Sequence, residues 1–210
     1  MRKYKPRVII TTSHRPSQRL RSFAKDLAQV IPFSLKVNRG KSSFRDLAYD
    51  ALSMGAEKIV VVSAWKGNPG SIHVYEPLSA PEPGLREVGY FRLRAAILRR
   101  EIPGSAKLSF VDRAGVSIED LPPSLQYLAD TFSRLFFYGI VFGREDYNKF
   151  SVIAKPFLQG EYIIVEYVCP SLNNRPCGPR LKIIRVEDYV SGFRFYRARA
   201  WIEKTSREPG

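Results

Sequence analysis

Three short stretches of this 210-residue chain gather hydroxyls, glycine and positive charge in a way that could hold phosphate. The first, Thr12-Ser13-His14-Arg15-Pro16-Ser17-Gln18-Arg19, follows an apolar run and enters a helix-patterned segment. Free N–H groups and the dipole at a helix amino terminus favour anions, and Ser13, Arg15, Ser17 and Arg19 would add side-chain donors there. Ser17 equally suits the N-cap of that helix. The second is Asn38-Arg39-Gly40-Lys41, where Gly40 permits close backbone approach to a ligand, or simply makes a turn, between two cations. The third is Arg175-Pro-Cys-Gly-Pro-Arg180. Further on, Arg194, Arg197 and Arg199 interleave with Phe193, Phe195, Tyr196 and Trp201. Arginine beside aromatic rings is what grips unpaired bases, although most of these rings would serve a core equally well.

The residues needed for turnover do not converge. Gly40-Lys-Ser42 resembles the end of a phosphate-binding loop, but the pattern needs glycine at position 35, which is Leu35. No G-x-G-x-x-G follows a strand. His14 and His73 have no metal-ligand companions at suitable spacing. Ser13 and His14 are neighbours, and on a strand they would face opposite ways. Glu145 and Asp146 read as a solvated turn pair. The expectation is therefore binding, with no catalytic residue, no metal and no cofactor.

Charge supports that direction. There are 34 Lys and Arg against 20 Asp and Glu, a net +14. Residues 1–110 hold 20 basic and 8 acidic side chains, whereas residues 111–210 hold 14 and 12, so the first half carries nearly all the excess. Such asymmetry points to a polyanionic partner, with solubility as the plainer alternative. No apolar run approaches the roughly 20 residues of a membrane helix, and a cytoplasmic, monomeric protein is expected. Cys169 and Cys177, eight residues apart, lack zinc-site spacing and read as small core or loop residues in preference to a disulfide.

These stretches need elements to position them. Val8–Thr12 is a buried-strand pattern; Leu20, Phe23, Ala24, Leu27 and Ala28 form a helical stripe that Pro32 ends. A strand over Phe33–Val37 leads to a second helix, with Ser43 and Asp46 as its capping pair, Phe44, Leu47, Ala48, Ala51 and Leu52 on one face, and Gly55 as its terminator. Ile59–Val62 suits a strand covered on both sides, and Lys66–Gly70 turns back into Ser71–Tyr75. Then come a Pro-rich loop, a strand over Tyr90–Ile97 with Phe91, Leu93, Ala95 and Ile97 inward, and a strand at Lys107–Val111. A strong helix runs through Leu125, Leu128, Ala129, Phe132, Leu135 and Phe136. Strands follow at Phe150–Lys155, Glu161–Val168 and Arg180–Glu203, broken near Ser191-Gly192. The fold class is α/β with mixed sheets, in two similar halves, residues 1–103 and 104–210, divided at Ile102-Pro-Gly104.

The combination of Ile10-Thr-Thr-Ser13, Pro16-Ser17, Leu20, Phe23 and Leu27, Asn38-Arg-Gly40 and Gly178-Pro-Arg180 resembles the Brix domain of ribosome-biogenesis proteins. Within that family it is most similar to short archaeal members and to a small-subunit processing factor that accompanies a guide RNA. The resemblance implies two halves like the anticodon-binding domain of class II aminoacyl-tRNA synthetases. It also implies binding to precursor rRNA, with a guide RNA and ribosomal or assembly proteins as further partners. Gly178, Pro179 and Arg180 match a carboxy-terminal motif associated with RNA contact. The long charged extensions of many eukaryotic members are expected to be lacking, which leaves the partners of those tails in question here. Two other readings are a protein-interaction scaffold within a pre-ribosomal particle and a synthetase-derived or RNA-modifying enzyme.

Overall fold

The buried run Val8–Thr12 forms β1, and every residue of it is buried because it lies inside the sheet. Parallel neighbours flank it on both sides, β2 (Ser34–Lys36) and β3 (Lys58–Trp65). The structure, a computed structural model, describes residues 5–197; Arg199, Trp201 and the end of the strand expected to reach Glu203 lie outside the described residues. From β3 the chain runs antiparallel through β4 (Asn68–Leu78) and β5 (Gly84–Ile97). The second half repeats this plan. β6 (Ala114–Ser117) lies parallel to β7 (Gly139–Val141) and to β8 (Val152–Gln159), and the chain then runs antiparallel through β9 (Tyr162–Cys169) and β11 (Arg180–Asp188). Short β10 (Arg175–Pro176) and β12 (Arg194–Tyr196) flank β9 and β11.

The halves do not form separate sheets. β5 and β11 pair antiparallel from Arg180↔Ile97 to Asp188↔Gly89, giving one sheet ordered β2-β1-β3-β4-β5-β11-β9-β8-β6-β7. α1 (Gln18–Leu27) and α3 (Tyr127–Phe136) lie on its inner face. Leu20, Phe23 and Leu27 of α1 and Leu128, Phe132 and Leu135 of α3 join Ile10, Val62, Val74, Phe91, Val116, Val165 and Ile183 in one core. On the outer face α2 (Phe44–Met54) covers Ile9, Ile59 and Val61 through Ala51. Its counterpart in the second half is only a 3-10 turn, Arg144–Lys149, whose Tyr147 covers Val141 and Ile153.

Local signals explain much of this. Ser17 caps α1 by accepting from the Leu20 N–H. Ser43 and Asp46 form a reciprocal capping box on α2, and Gly55 ends that helix in the left-handed region at φ 72°. α1 stops at Leu27, short of Pro32. No helix among the described residues is long and apolar enough to cross a membrane.

Four expectations are corrected. Lys107–Val111 is not a strand; the strand lies at Ala114–Ser117. The inward alternation along β5 does not continue past Leu93, because a bulge against Lys182–Ile183 shifts its phase. Ala96 and Leu98 are therefore buried, while Ala95 and Ile97 turn outward. The α2 stripe is narrower than its pattern, with Phe44 and Leu52 exposed. Finally, Cys169 and Cys177 are joined in a disulfide, because the pairing of β10 with the end of β9 folds the eight-residue interval back and leaves their Cα atoms 5.9 Å apart.

Beside the β5–β11 seam, Val30, just past α1, is held by the second half. The buried Tyr138 hydroxyl donates to its carbonyl at 2.8 Å. Tyr138→Phe would leave that carbonyl without its donor, and urea unfolding should show a loss of about 1–3 kcal/mol. An unchanged midpoint would mean the bond contributes nothing to joining the halves.

Candidate nucleic-acid interface

Because β1, β2 and β3 are parallel, the loops that follow them emerge at one end of the sheet. The β1–α1 loop is anchored by the Ser13 N–H, which donates to the Val62 carbonyl at 2.8 Å. His14 Nδ1 donates to the Gly40 carbonyl at 3.3 Å and ties this loop to the β2–α2 loop. Ser17 Oγ donates to the Gly67 carbonyl at 3.0 Å and ties it to the β3–β4 hairpin. That hairpin turns on Lys66 and Gly67, both at positive φ (48° and 79°), the geometry of a tight two-residue connection. Gly40, at φ 57°, has open space where a side chain would sit, so backbone conformation rather than crowding calls for glycine there.

The cluster presents Arg15, Lys41 and Lys66, all exposed. No carboxylate among the described residues pairs with any of the three. Of the residues expected to form a site, Ser13, Arg15, Ser17, Gly40 and Lys41 are thus brought together. Lys66 was not among them, although a basic residue before glycine in a turn that follows a buried strand was a readable signal.

Other expected contacts are committed within the chain. Arg19 makes a two-pronged ion pair with Glu101 and donates to the Ala96 carbonyl at 3.0 Å. Arg39 is buried, donates from Nε to the Ser42 carbonyl at 3.0 Å, and lies 4.6 Å from the centre of the Phe44 ring. Burial lowers its pKa from the ordinary arginine value. It shapes the loop from within. Arg175 donates to the Gly104 carbonyl at 2.9 Å, Arg180 pairs with Glu166 at 2.7 Å, and Arg197 pairs with Glu161 at 3.1 Å. Arg199 lies outside the described residues.

The third basic turn stands apart from the loop cluster. Its Gly178 meets Val30, beyond the far end of α1 from Ser17, and a ten-residue helix is about 15 Å long. A Cβ on Gly178 would fall 2.5 Å from Val30 Cγ1 and 2.8 Å from Tyr167 Cβ, so this glycine is required by packing where the halves meet. Among the described residues no group of His, Cys, Asp and Glu is placed to hold a metal ion.

A mixed sheet that states one strand order twice, with an unpaired basic rim, defines a twofold-repeated α/β protein. No protein-family model matches the chain. A probable Brix domain-containing ribosomal biogenesis protein of Thermococcus kodakarensis is 40% identical over 95 residues, 45% of this chain and 44% of that protein. The U3 small nucleolar ribonucleoprotein protein IMP4 of Rattus norvegicus is 31% identical over 133 residues, 59% of this chain and 43% of that protein. The matched stretches thus span less than half of these curated relatives. The crystal structure of a probable ribosomal biogenesis protein from Aeropyrum pernix superposes with a TM-score of 0.69 at 30% identity, over 85% of this chain and 95% of that one. An archaeal Imp4-like protein shares the fold, with a TM-score of 0.57 at 21% identity. The chain belongs to the Brix domain family of ribosome-biogenesis proteins.

Gly178→Ala should lower stability by about 1–3 kcal/mol through overpacking against Val30 and Tyr167. Thermal or urea denaturation measures this, and a wild-type midpoint would remove the packing reason for that glycine.

Proposed function

We propose that the protein is an RNA-binding ribosome-biogenesis factor that holds precursor rRNA during maturation of the particle, without catalysis. Precursor rRNA, a guide RNA and ribosomal or assembly proteins are its partners, and it works in the cytoplasm as a monomer when isolated. Membership of the Brix family supports the biological setting. The observation that carries the RNA assignment is the bonded cluster of three strand-end loops with Arg15, Lys41 and Lys66 exposed and unpaired. Phosphates neutralised there would release counterions, which makes binding steeply salt dependent.

Arg39 is excluded from this surface by its burial, so the informative variant reverses Arg15, Lys41 and Lys66 to Glu. Filter binding to precursor rRNA should weaken at least tenfold near 0.1 M salt. The slope of log affinity against log salt should fall by about two, the share of three phosphate contacts on a single strand. Circular dichroism should remain that of the parent. Unchanged affinity and slope would remove the loop cluster from the RNA surface.

A further inference from the structure

Among the described residues, the outer face of the sheet is covered only at its two ends. α2 extends over it as far as Tyr75 and Leu85, and the 3-10 turn Arg144–Lys149 covers the neighbourhood of Ile153 and Val168. Between them lies an open groove of about 380 Å³ lined by Tyr90, Arg92, Ile184, Arg185, Tyr196 and Arg197.

Its charge arrangement is not what stability alone would select. Arg92 of β5 and Arg185 of β11 are direct cross-strand partners at the seam, and like charges directly opposite on antiparallel strands are destabilising. Arg185 is compensated within the chain. It pairs with Glu187 at 2.6 Å and lies 5.5 Å and 5.1 Å from the ring centres of Tyr90 and Tyr196. Arg92 has no carboxylate partner among the described residues. Its guanidinium rests instead 4.7 Å from the ring centre of Trp65, an indole that is itself 58% exposed. Further along the same sheet, Lys182 stands 4.0 Å from the Tyr162 ring centre. The surface is thus a series of rings alternating with cations, laid on a rigid sheet.

We infer that this face binds single-stranded RNA, with a phosphate held by Arg92 at the seam and an unpaired base stacked on Trp65. Rings spaced between cations match a chain that alternates flat bases with phosphates, and stacking on side chains requires bases that are not paired. An acidic peptide would satisfy the arginines but leave the exposed indole without a matching face. The inference rests on the RNA-binding reading above and adds a second, separate surface. Trp65 immediately precedes Lys66 of the loop cluster, so one strand could run from the rim onto the sheet.

The chain has two tryptophans, Trp65 and Trp201, so the full-length protein carrying Trp201→Phe reports on Trp65 alone. A fluorescein-labelled 12-nucleotide RNA strand, its 12-base-pair duplex and polyglutamate are titrated, with polarisation or competition for affinity and unlabelled ligand for indole emission. The single strand should quench Trp65 saturably, and the duplex and polyglutamate should not. Trp65→Ala should weaken single-strand binding about 5- to 100-fold, and Trp65→Phe should restore most of it by keeping an aromatic face. Arg92→Gln should weaken it and lower the salt slope by about one. Single-strand binding that leaves Trp65 emission unchanged and ignores both Trp65→Ala and Arg92→Gln would overturn the sheet site while leaving the loop cluster standing. Equal quenching by polyglutamate would overturn the choice of nucleic acid for this face. Absence of RNA binding by the parent protein would overturn both surfaces together.

Discussion

The pairing of β5 with β11 is the constraint on which the rest of the molecule depends. It turns two short mixed sheets into one and removes the two long edge strands that separate halves would expose. It also makes the inner face continuous, so α1 and α3 share a single core. The contacts of Tyr138 and Gly178 with Val30 reinforce the joint from the helical side. With α1 and α3 both on the inner face, and α2 matched only by a 3-10 turn on the other, the described residues leave the middle of the outer face open.

The same architecture decides which of the cations are available to a partner. Arg19, Arg180 and Arg197 are spent on Glu101, Glu166 and Glu161, and Arg134 is spent on Asp188. Burial alone would raise the Asp188 carboxyl, yet Arg134 and the N–H groups of Ser191 and Val190 hold it below the ordinary value. The pairs of Arg19, Arg180 and Arg197, partly exposed at both ends, contribute little to stability, about 0–1 kcal/mol each, but they withdraw local charge from any polyanion. A formal +14 therefore overstates the charge open to a polyanion, and the proposed surface is drawn from cations without a carboxylate partner among the described residues, Arg15, Lys41, Lys66 and Arg92.

Much of the first half was legible because its signals are local. The apolar runs of β1 and β3, the Ser17 and Ser43 caps and Gly55 all act within a few residues of where they stand. The second half hid its parallel strands. β6 is Ala-Gly-Val-Ser, short and weakly β-patterned, and its Gly115 has no room for a side chain against Val141 and Ile153. The phase change in β5 arises from a bulge set by β11, and no reading of β5 alone reveals it. The cationic turns were visible as composition, but their separation into bonded and available charge was not. Glu101 lies 82 residues from Arg19, and only the folded chain brings them together. The Cys169–Cys177 bond likewise follows from a strand pairing that spacing does not encode.

Ultraviolet crosslinking of the full chain to precursor rRNA in cells, with the crosslinked peptides identified by mass spectrometry, tests the central claim most directly. Crosslinks should concentrate on the peptides that contain Ser13–Ser17, Gly40-Lys41 and Trp65-Lys66, with a second set around Arg92. Crosslinks confined to α3 and the Arg144–Lys149 turn, or none above the level of an equally basic control protein, would contradict it.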